Sequence, residues 1–206
     1  MLVAVSQRVD VVPERGERRD ALDQAWTRFL AACGLTPVLI PNDRAAAEAL
    51  MHAVPVCGVV LTGGNDLTVV GGDTPERDDT EATLLAEARR SRLPVIGVCR
   101  GMQMIQHSYG VTLRPVTGHV GTPHPVVVDG QTVSVNSYHA WGAFESVPSL
   151  EVCGRAADGV IEAVRDPARR ILGIMWHPER LAEPSPGDVD LFHNWLVVNS
   201  SSACAR

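Results

Sequence analysis

Lysine is absent from this sequence of 206 residues, so all 18 of its basic side chains are arginines. This bias is typical of a GC-rich genome and does not by itself indicate phosphate binding. The net charge of −6 disfavours a surface that coats nucleic acid, although it leaves room for a local basic pocket. No apolar run approaches the roughly 20 residues that cross a bilayer, so we expect no membrane-spanning segment.

Paired cysteines are absent as well. The five cysteines are Cys33, Cys57, Cys99, Cys153 and Cys204, and none belongs to a Cys-x-x-Cys pair. Their odd number and their spacing argue against a disulfide framework and against a cysteine zinc site. The first six residues lack a basic region and read as a strand rather than a signal sequence, so we expect a cytoplasmic protein.

Short apolar runs alternate with helical patterns in the first half of the sequence. The pattern predicts strands at 2–6, 37–40, 56–61 and 94–98. It predicts helices at 18–33, from a cap at Asn42 or Asp43 to residue 52, at 75–90 and at 101–109. This β-α alternation indicates a parallel sheet with helices on both faces.

The second half reads as strands joined by turns, at 126–129, 132–135, 152–155, 160–165 and 171–176, with a last helix at 188–199. The sequence therefore predicts an α/β fold. Its central, mostly parallel sheet is flanked by helices, and a smaller antiparallel strand region occupies the second half. We expect a single domain over residues 1–199 and a flexible tail over residues 200–206.

The most informative segment is the one around Cys99. A predicted strand runs directly into the cysteine and then into a helix, with Gly97 and Gly101 two positions away on either side. This is the arrangement of a nucleophile elbow, with cysteine in place of serine. The helix amino end favours a thiolate at that position. The alternative is a buried structural cysteine, which is how we interpret Cys33 and Cys153.

A second chemical motif, His177-Pro178-Glu179, follows the last predicted strand. Pro178 disfavours helix, so we expect an extended piece in which His177 and Glu179 project the same way. A carboxylate there can orient the imidazole and stabilise its charged form. Alone, the motif would indicate a solvated turn, but together with the elbow it indicates a catalytic Cys-His-Glu triad.

These residues resemble the class I (triad) glutamine amidotransferase superfamily. The family pattern G-x-C-x-G-x-Q corresponds to Gly97, Cys99, Gly101 and Gln103, and its H-P-E corresponds to the motif that begins at His177. The resemblance implies a flavodoxin-like fold, no cofactor and a small γ-glutamyl substrate. It also implies that the cysteine attacks a γ-glutamyl carbonyl and that Gln103 binds the glutamyl end of the substrate.

The loop at residues 61–66 is similar to the oxyanion loop of the same family. By that likeness, the backbone N–H groups of Gly64 and Arg100 hold the oxyanion of the tetrahedral intermediate. The alternative for Gly63 and Gly64 is an ordinary glycine turn, and for Gln103 a solvated helix residue.

A narrower likeness points to the free-standing γ-glutamyl hydrolases. Asn136-Ser137-Tyr138-His139 resembles their N-S-x-H segment, so we expect these four residues at the substrate. Residues 6–8, 17–26, 64–67, 119–121 and 173–180 look closer still to bacterial enzymes of capsule biosynthesis that cleave a γ-glutamyl nucleotide phosphoramidate. That likeness implies release of glutamate from γ-glutamyl-CDP-amidate, which leaves cytidine diphosphoramidate.

Three further histidines, His119, His124 and His139, raise the question of a metal. Their spacing fits no helical or hairpin ligand pair, and no acidic residue adjoins them, so we expect no metal. His119 and His139 are instead expected to line the substrate pocket.

Charged and polar residues near the predicted carboxyl edge of the sheet are the remaining candidates for substrate binding. Arg8 and Arg100 could meet a carboxylate or a diphosphate there. For Arg8, a solvated loop arginine is an equal alternative, and the same holds for Asn65 and Asp66.

Three functions remain open at this point. The first and favoured one is a free-standing γ-glutamyl hydrolase, including the γ-glutamyl-aminobutyrate type. The second is a glutaminase subunit that feeds ammonia to a synthetase on another chain, since no phosphate-binding glycine loop occurs here. The third is a non-enzymatic binding module, which the intact triad disfavours. A homodimer is compatible with all three.

Overall fold

The computed structural model describes residues 1–198, and within them five α-helices pack around a large sheet. The remaining residues, which include the predicted tail and Asn199, lie outside the described part. No helix in residues 1–198 is both long and apolar enough to cross a membrane. The helices are α1 (Gln24–Ala32), α2 (Arg44–Ala53), α3 (Pro75–Ser91), α4 (Arg100–Ser108) and α5 (Pro186–Leu196).

The described residues form thirteen strands. They are β1 (Leu2–Ser6), β2 (Arg8–Val12), β3 (Glu17–Ala21), β4 (Thr36–Ile40), β5 (Val59–Leu61), β6 (Val95–Val98), β7 (Arg114–Pro115), β8 (His124–Val128), β9 (Gln131–Val135), β10 (Trp141–Gly142), β11 (Glu151–Ala156), β12 (Ile161–Asp166) and β13 (Ile171–Ile174). Nine of them form one sheet in the order β4-β1-β5-β6-β13-β12-β11-β8-β9.

The predicted fold class is confirmed. The strands from β4 to β13 in that order run parallel, and β12, β11, β8 and β9 continue the same sheet with antiparallel pairs. Alternate side chains of each strand enter the two faces. In β1, for example, Val3 and Val5 pack with Phe29 of α1 on one face, whereas Ala4 packs with Leu84 of α3 on the other.

The predicted helix at residues 18–33 is wrong in its first part. Strand β3 pairs with β2 as a hairpin that turns at Gly16, whose φ of 61° is left-handed. Helix α1 begins only at Gln24, because the Asp23 carboxylate caps it by accepting a hydrogen bond from the Ala25 N–H. The hairpin matters for the site because the Asn65 side chain pairs with the backbone N–H and carbonyl of Val9 in β2.

Candidate active site

Cys99 ends β6 and caps α4 in a strained turn. Its φ of 52° and ψ of −105° lie in a region that costs a non-glycine residue about 1–3 kcal/mol. A β-carbon on Gly97 would lie 2.5 Å from the Gly101 backbone, and one on Gly101 would lie 2.1 Å from the Leu61 carbonyl oxygen. Both glycines are therefore required, because strand, turn and helix approach too closely for a side chain. The predicted elbow geometry is confirmed.

His177 and Glu179 follow β13, the strand that pairs with β6. His177 Nδ1 lies 2.7 Å from Glu179 Oε1, and both side chains are buried. The predicted extended His-Pro-Glu piece is wrong, because Pro178–Arg180 forms a 3₁₀ turn that nevertheless brings the two groups together. Asn136 holds the His177 backbone: its Oδ1 accepts from the His177 N–H at 2.7 Å, and its Nδ2 donates to the carbonyl at 2.8 Å.

The His177 imidazole is tuned toward its charged form. Burial lowers its pKa, but the interactions with Cys99 and then with Glu179 outweigh burial and raise the pKa to about 9. The ring is therefore protonated at neutral pH. The attraction between the charged imidazole and its partners Cys99 and Glu179 is lost as the pH rises through about 9. Nε2 is buried and has no hydrogen-bond partner among the described residues, which leaves it available to the reacting atoms.

The loop after β5 packs directly against this histidine. A β-carbon on Gly63 would lie 2.5 Å from His177 Cε1. The buried Arg77 guanidinium donates to the carbonyls of Thr62 at 2.8 Å, Gly63 at 3.0 Å and Gly64. Because the C=O and N–H of a trans peptide point in opposite directions, the Gly64 N–H is turned away from Arg77.

Arg77 belongs to a buried charge network that the sequence analysis missed. Glu81 accepts from Arg77 Nε at 3.1 Å, from Ser6 Oγ at 2.8 Å and from Arg100. Burial lowers the pKa of Arg77 to about 10, against the opposing effect of Glu81, so the guanidinium stays charged at neutral pH. The i, i+4 spacing of Arg77 and Glu81 on α3 is the sequence signal that could have revealed this pair.

Arg100 differs from its predicted role. Its guanidinium is buried and pairs with Glu81 and Asp78, so it is not free to meet a substrate carboxylate or diphosphate. Its backbone N–H is the first of α4 and has no acceptor within the helix.

A cavity of about 280 Å³ lies in front of Cys99. Several of the predicted site residues line it: Gly64, Asn65, Asp66, Cys99, Arg100, Gln103, Tyr138, His139 and His177. Gln103 is held there by a hydrogen bond of 2.9 Å from its Nε2 to the Trp141 carbonyl. Asp66 is exposed, whereas the Asn65 side chain is engaged by the β2 backbone and by Arg77.

Four other predicted residues lie beside this cavity rather than in its lining. Asn136 and Ser137 act on the backbone, since the Ser137 hydroxyl donates to the His119 carbonyl at 2.6 Å. Arg8 is exposed, is paired with Asp10 at 2.7 Å, and lines a neighbouring small pocket with Gly64 and His177. The His119 ring is buried between carboxylates, away from the cavity lining that was predicted for it.

Arg180 is a charged cavity residue that the sequence analysis missed. Its guanidinium lies 4.5 Å from the Tyr138 ring centroid, and Tyr138 meets the His177 ring edge-on at 5.6 Å. Arg180 lines both the cavity in front of Cys99 and the small pocket at Arg8. Its place directly after Glu179, at the carboxyl edge of the sheet, is the signal that could have identified it.

The predicted isolation of His119, His124 and His139 from any acidic group is wrong. Glu162 of β12, distant in sequence, lies within 3.5 Å of a ring nitrogen of each. The chain crossing from β8 to β12 brings these groups together, and local spacing cannot show that.

The fold and the site define an α/β protein with a cysteine elbow beside a histidine–carboxylate pair. The glutamine amidotransferase class-I family profile matches residues 19–198, so the chain belongs to this family. The predicted resemblance is thereby confirmed.

Two curated relatives and one solved structure are similar to this chain over most of its length. The γ-glutamyl-CDP-amidate hydrolase of Campylobacter jejuni is 27% identical over 205 residues, which cover 96% of this chain and 98% of that protein. The γ-glutamyl-γ-aminobutyrate hydrolase of Escherichia coli K12 is 26% identical over 205 residues, 80% and 81% of the two chains. The crystal structure of a GMP synthase component from Thermoplasma acidophilum shares the fold, with a TM-score of 0.71 at 18% identity and coverage of 98% and 96%.

We predict that iodoacetamide at pH 7 alkylates Cys99 ahead of the other described cysteines. Burial raises the pKa of Cys33 to about 12 and that of Cys153 to about 11, so both stay protonated. His177→Ala should slow Cys99 alkylation by roughly tenfold or more, because the thiolate loses its cationic partner. Peptide mass spectrometry gives the rates, and His107→Ala, an exposed position on α4, is the control. Equal Cys99 rates in both variants would contradict activation by His177.

We also predict that Glu81→Gln lowers the free energy of unfolding by about 3–5 kcal/mol, because two buried guanidinium groups lose their shared carboxylate. Glu76→Gln is the matched control on the same helix, where the partly exposed pair with Arg18 contributes at most about 1 kcal/mol. Urea denaturation of both variants measures the difference. Similar midpoints would show that Glu81 does not hold the site together.

Proposed function

We propose that this protein is a cysteine-dependent γ-glutamyl amide hydrolase with Cys99, His177 and Glu179 as its catalytic triad. The observation that carries this proposal is the strained Cys99 elbow together with a buried histidine whose Nδ1 is paired with Glu179 at 2.7 Å and whose pKa is raised by Cys99 and Glu179. A structural cysteine would not need a left-handed backbone or two closely packed glycines to support it.

The first half of the reaction forms a thioester. The Cys99 thiolate bonds to the γ-carbonyl carbon of the substrate, and the carbonyl electrons move to oxygen. The N–H groups of Gly64 and Arg100 stabilise this oxyanion. As the C–N bond breaks, the protonated His177 Nε2 gives its proton to the departing nitrogen, and a glutamyl thioester remains on Cys99.

The second half regenerates the enzyme. Neutral His177 takes a proton from water while the water oxygen bonds to the thioester carbon. The C–S bond then breaks, glutamate leaves, and the thiolate and imidazolium are restored. Glu179 holds the imidazole in the tautomer that directs Nε2 at the reacting atoms throughout.

Charges around the cavity suit a substrate with acidic groups. Gln103 is positioned for the glutamyl end, and the exposed Asp66 carboxylate can receive the α-ammonium group. Arg180 and Arg8 supply two guanidinium groups on the side of Gly64 and His177, where a diphosphate leaving group would lie. Similarity to the Campylobacter jejuni hydrolase over almost the full length of both chains supports γ-glutamyl-CDP-amidate as substrate, with glutamate and cytidine diphosphoramidate as products.

Substrate preference tests the leaving group. We expect kcat/KM for γ-glutamyl-CDP-amidate to exceed that for glutamine or γ-glutamyl-aminobutyrate by about 100-fold or more, because only the nucleotide engages the arginines. Arg180→Ala should reduce that preference, whereas Arg15→Ala, in an exposed turn, should not. Rates of glutamate release measure both the substrate preference and its change in the variants. Preference for glutamine, with activity that rises when a synthetase is added, would favour an ammonia-supplying subunit instead.

Triad variants test the chemistry separately from the leaving group. We expect Cys99→Ala to abolish turnover while the fold stays intact. Glu179→Gln should retain a turnover rate about 10- to 100-fold above the residual rate of Cys99→Ala, because orientation of the imidazole is only part of the chemistry. Glu183→Gln, at an exposed position four residues further along the chain, is the control. Turnover that persists in a folded Cys99→Ala variant would refute the mechanism.

A further inference from the structure

Four side chains from three separate segments converge behind the active-site cavity. Glu162 Oε1 lies 3.1 Å from His119 Nδ1, 3.3 Å from His139 Nε2 and 3.5 Å from His124 Nε2. All four atoms are buried, and none has a hydrogen-bond partner among the described residues. They approach one another closely without hydrogen-bond geometry, so something other than mutual hydrogen bonding must account for their arrangement.

The other ring nitrogen of each histidine is already engaged. Each of the three faces an oxygen atom that can only accept a hydrogen bond, which places the ring proton on that outer nitrogen. The inner nitrogen of each ring then faces Glu162. The outer contacts are His119 Nε2 to Asp158 Oδ2 at 2.9 Å, His124 Nδ1 to the Thr122 carbonyl at 3.3 Å and His139 Nδ1 to the Trp141 carbonyl at 3.0 Å.

Buried imidazole nitrogens and a buried carboxylate oxygen that lack hydrogen-bond partners and lie this close together can share one cation. We propose that His119, His139 and Glu162 hold a zinc ion. Each of these three residues offers a ligand atom within 4.8 Å of the ligand atoms of the other two, so one ion can contact all three, whereas His124 lies outside this group. Two imidazole nitrogens and one carboxylate suit zinc rather than magnesium or calcium, which select oxygen ligands.

The outer contacts support the same conclusion. Histidines that bind zinc usually donate their second ring N–H to a carboxylate or a backbone carbonyl, as His119 and His139 do here. Three protein ligands leave the fourth position of a tetrahedral zinc ion to a further ligand.

The site lies where it can hold part of the catalytic apparatus. His139 also lines the cavity at Cys99, and it lies in the same short segment as Asn136, which holds the His177 backbone. Its backbone N–H donates to the His119 carbonyl at 3.0 Å. A zinc ion would therefore tie the segments at 119–124 and 136–141 to β12 of the sheet and keep Asn136 in place.

Metal content of the intact protein tests the proposal. We expect about one zinc ion per chain in protein expressed with zinc and purified without a histidine tag, as measured by inductively coupled plasma mass spectrometry. His119→Ala and Glu162→Gln should lose the metal, whereas His52→Ala, an exposed histidine of α2, should retain it. Zinc-free protein, or zinc retained by both ligand variants, would overturn the proposal.

A second measurement uses the unmutated protein and does not depend on how the variants fold. Chelation should lower the melting temperature, and added zinc should restore it. Cobalt(II) added to the chelated protein should give the intense visible absorption of a tetrahedral site. A melting temperature that is unchanged by chelator and by zinc, with no cobalt band, would show that the cluster is a metal-free ion pair.

Discussion

The buried carboxylate of Glu81 is the contact on which the reacting geometry depends. One of its oxygens accepts from Ser6 at the end of β1 and from Arg77, and the other accepts from Arg100 at the start of α4. Arg77 in turn binds three successive carbonyls of the loop after β5. One charged group on α3 thus links the strand end, the proposed oxyanion loop and the nucleophile elbow, and burial strengthens each of these contacts.

The histidine side of the site is held by the opposite half of the sheet. His177 follows β13, and its backbone is fixed by Asn136 from the segment after β9. The antiparallel strands therefore form the frame that fixes the His177 backbone, while His177 itself follows the parallel strand β13, next to the strand that ends at Cys99. The proposed zinc cluster joins the segment that contains Asn136 to β12. Both halves of the site therefore depend on buried polar groups that need their partners to be tolerated in the interior.

The sequence was most informative where function is encoded by neighbouring residues. Gly97, Cys99 and Gly101 identify the elbow because a tight turn needs glycines on both sides, and His177 and Glu179 are only two positions apart. Contacts between residues that are distant in the sequence could not be predicted from it. Glu162 belongs to a strand that is distant in sequence from the three histidines. In the sequence alone, Arg77 looks like an ordinary solvated helix residue. The β2–β3 hairpin was missed because the run before Gln24 also fits a helical pattern, and only pairing across Gly16 decides between them.

The central claim is that glutamate is released through a thioester on Cys99. The most direct test mixes the protein with a saturating γ-glutamyl substrate and stops the reaction with acid within milliseconds to seconds. Mass spectrometry then measures the mass of the peptide that contains Cys99. This mechanism predicts an added glutamyl group on that peptide during turnover and none once the substrate is exhausted. Turnover with Cys99 unmodified at every time, or with the glutamyl group on another residue, would contradict it.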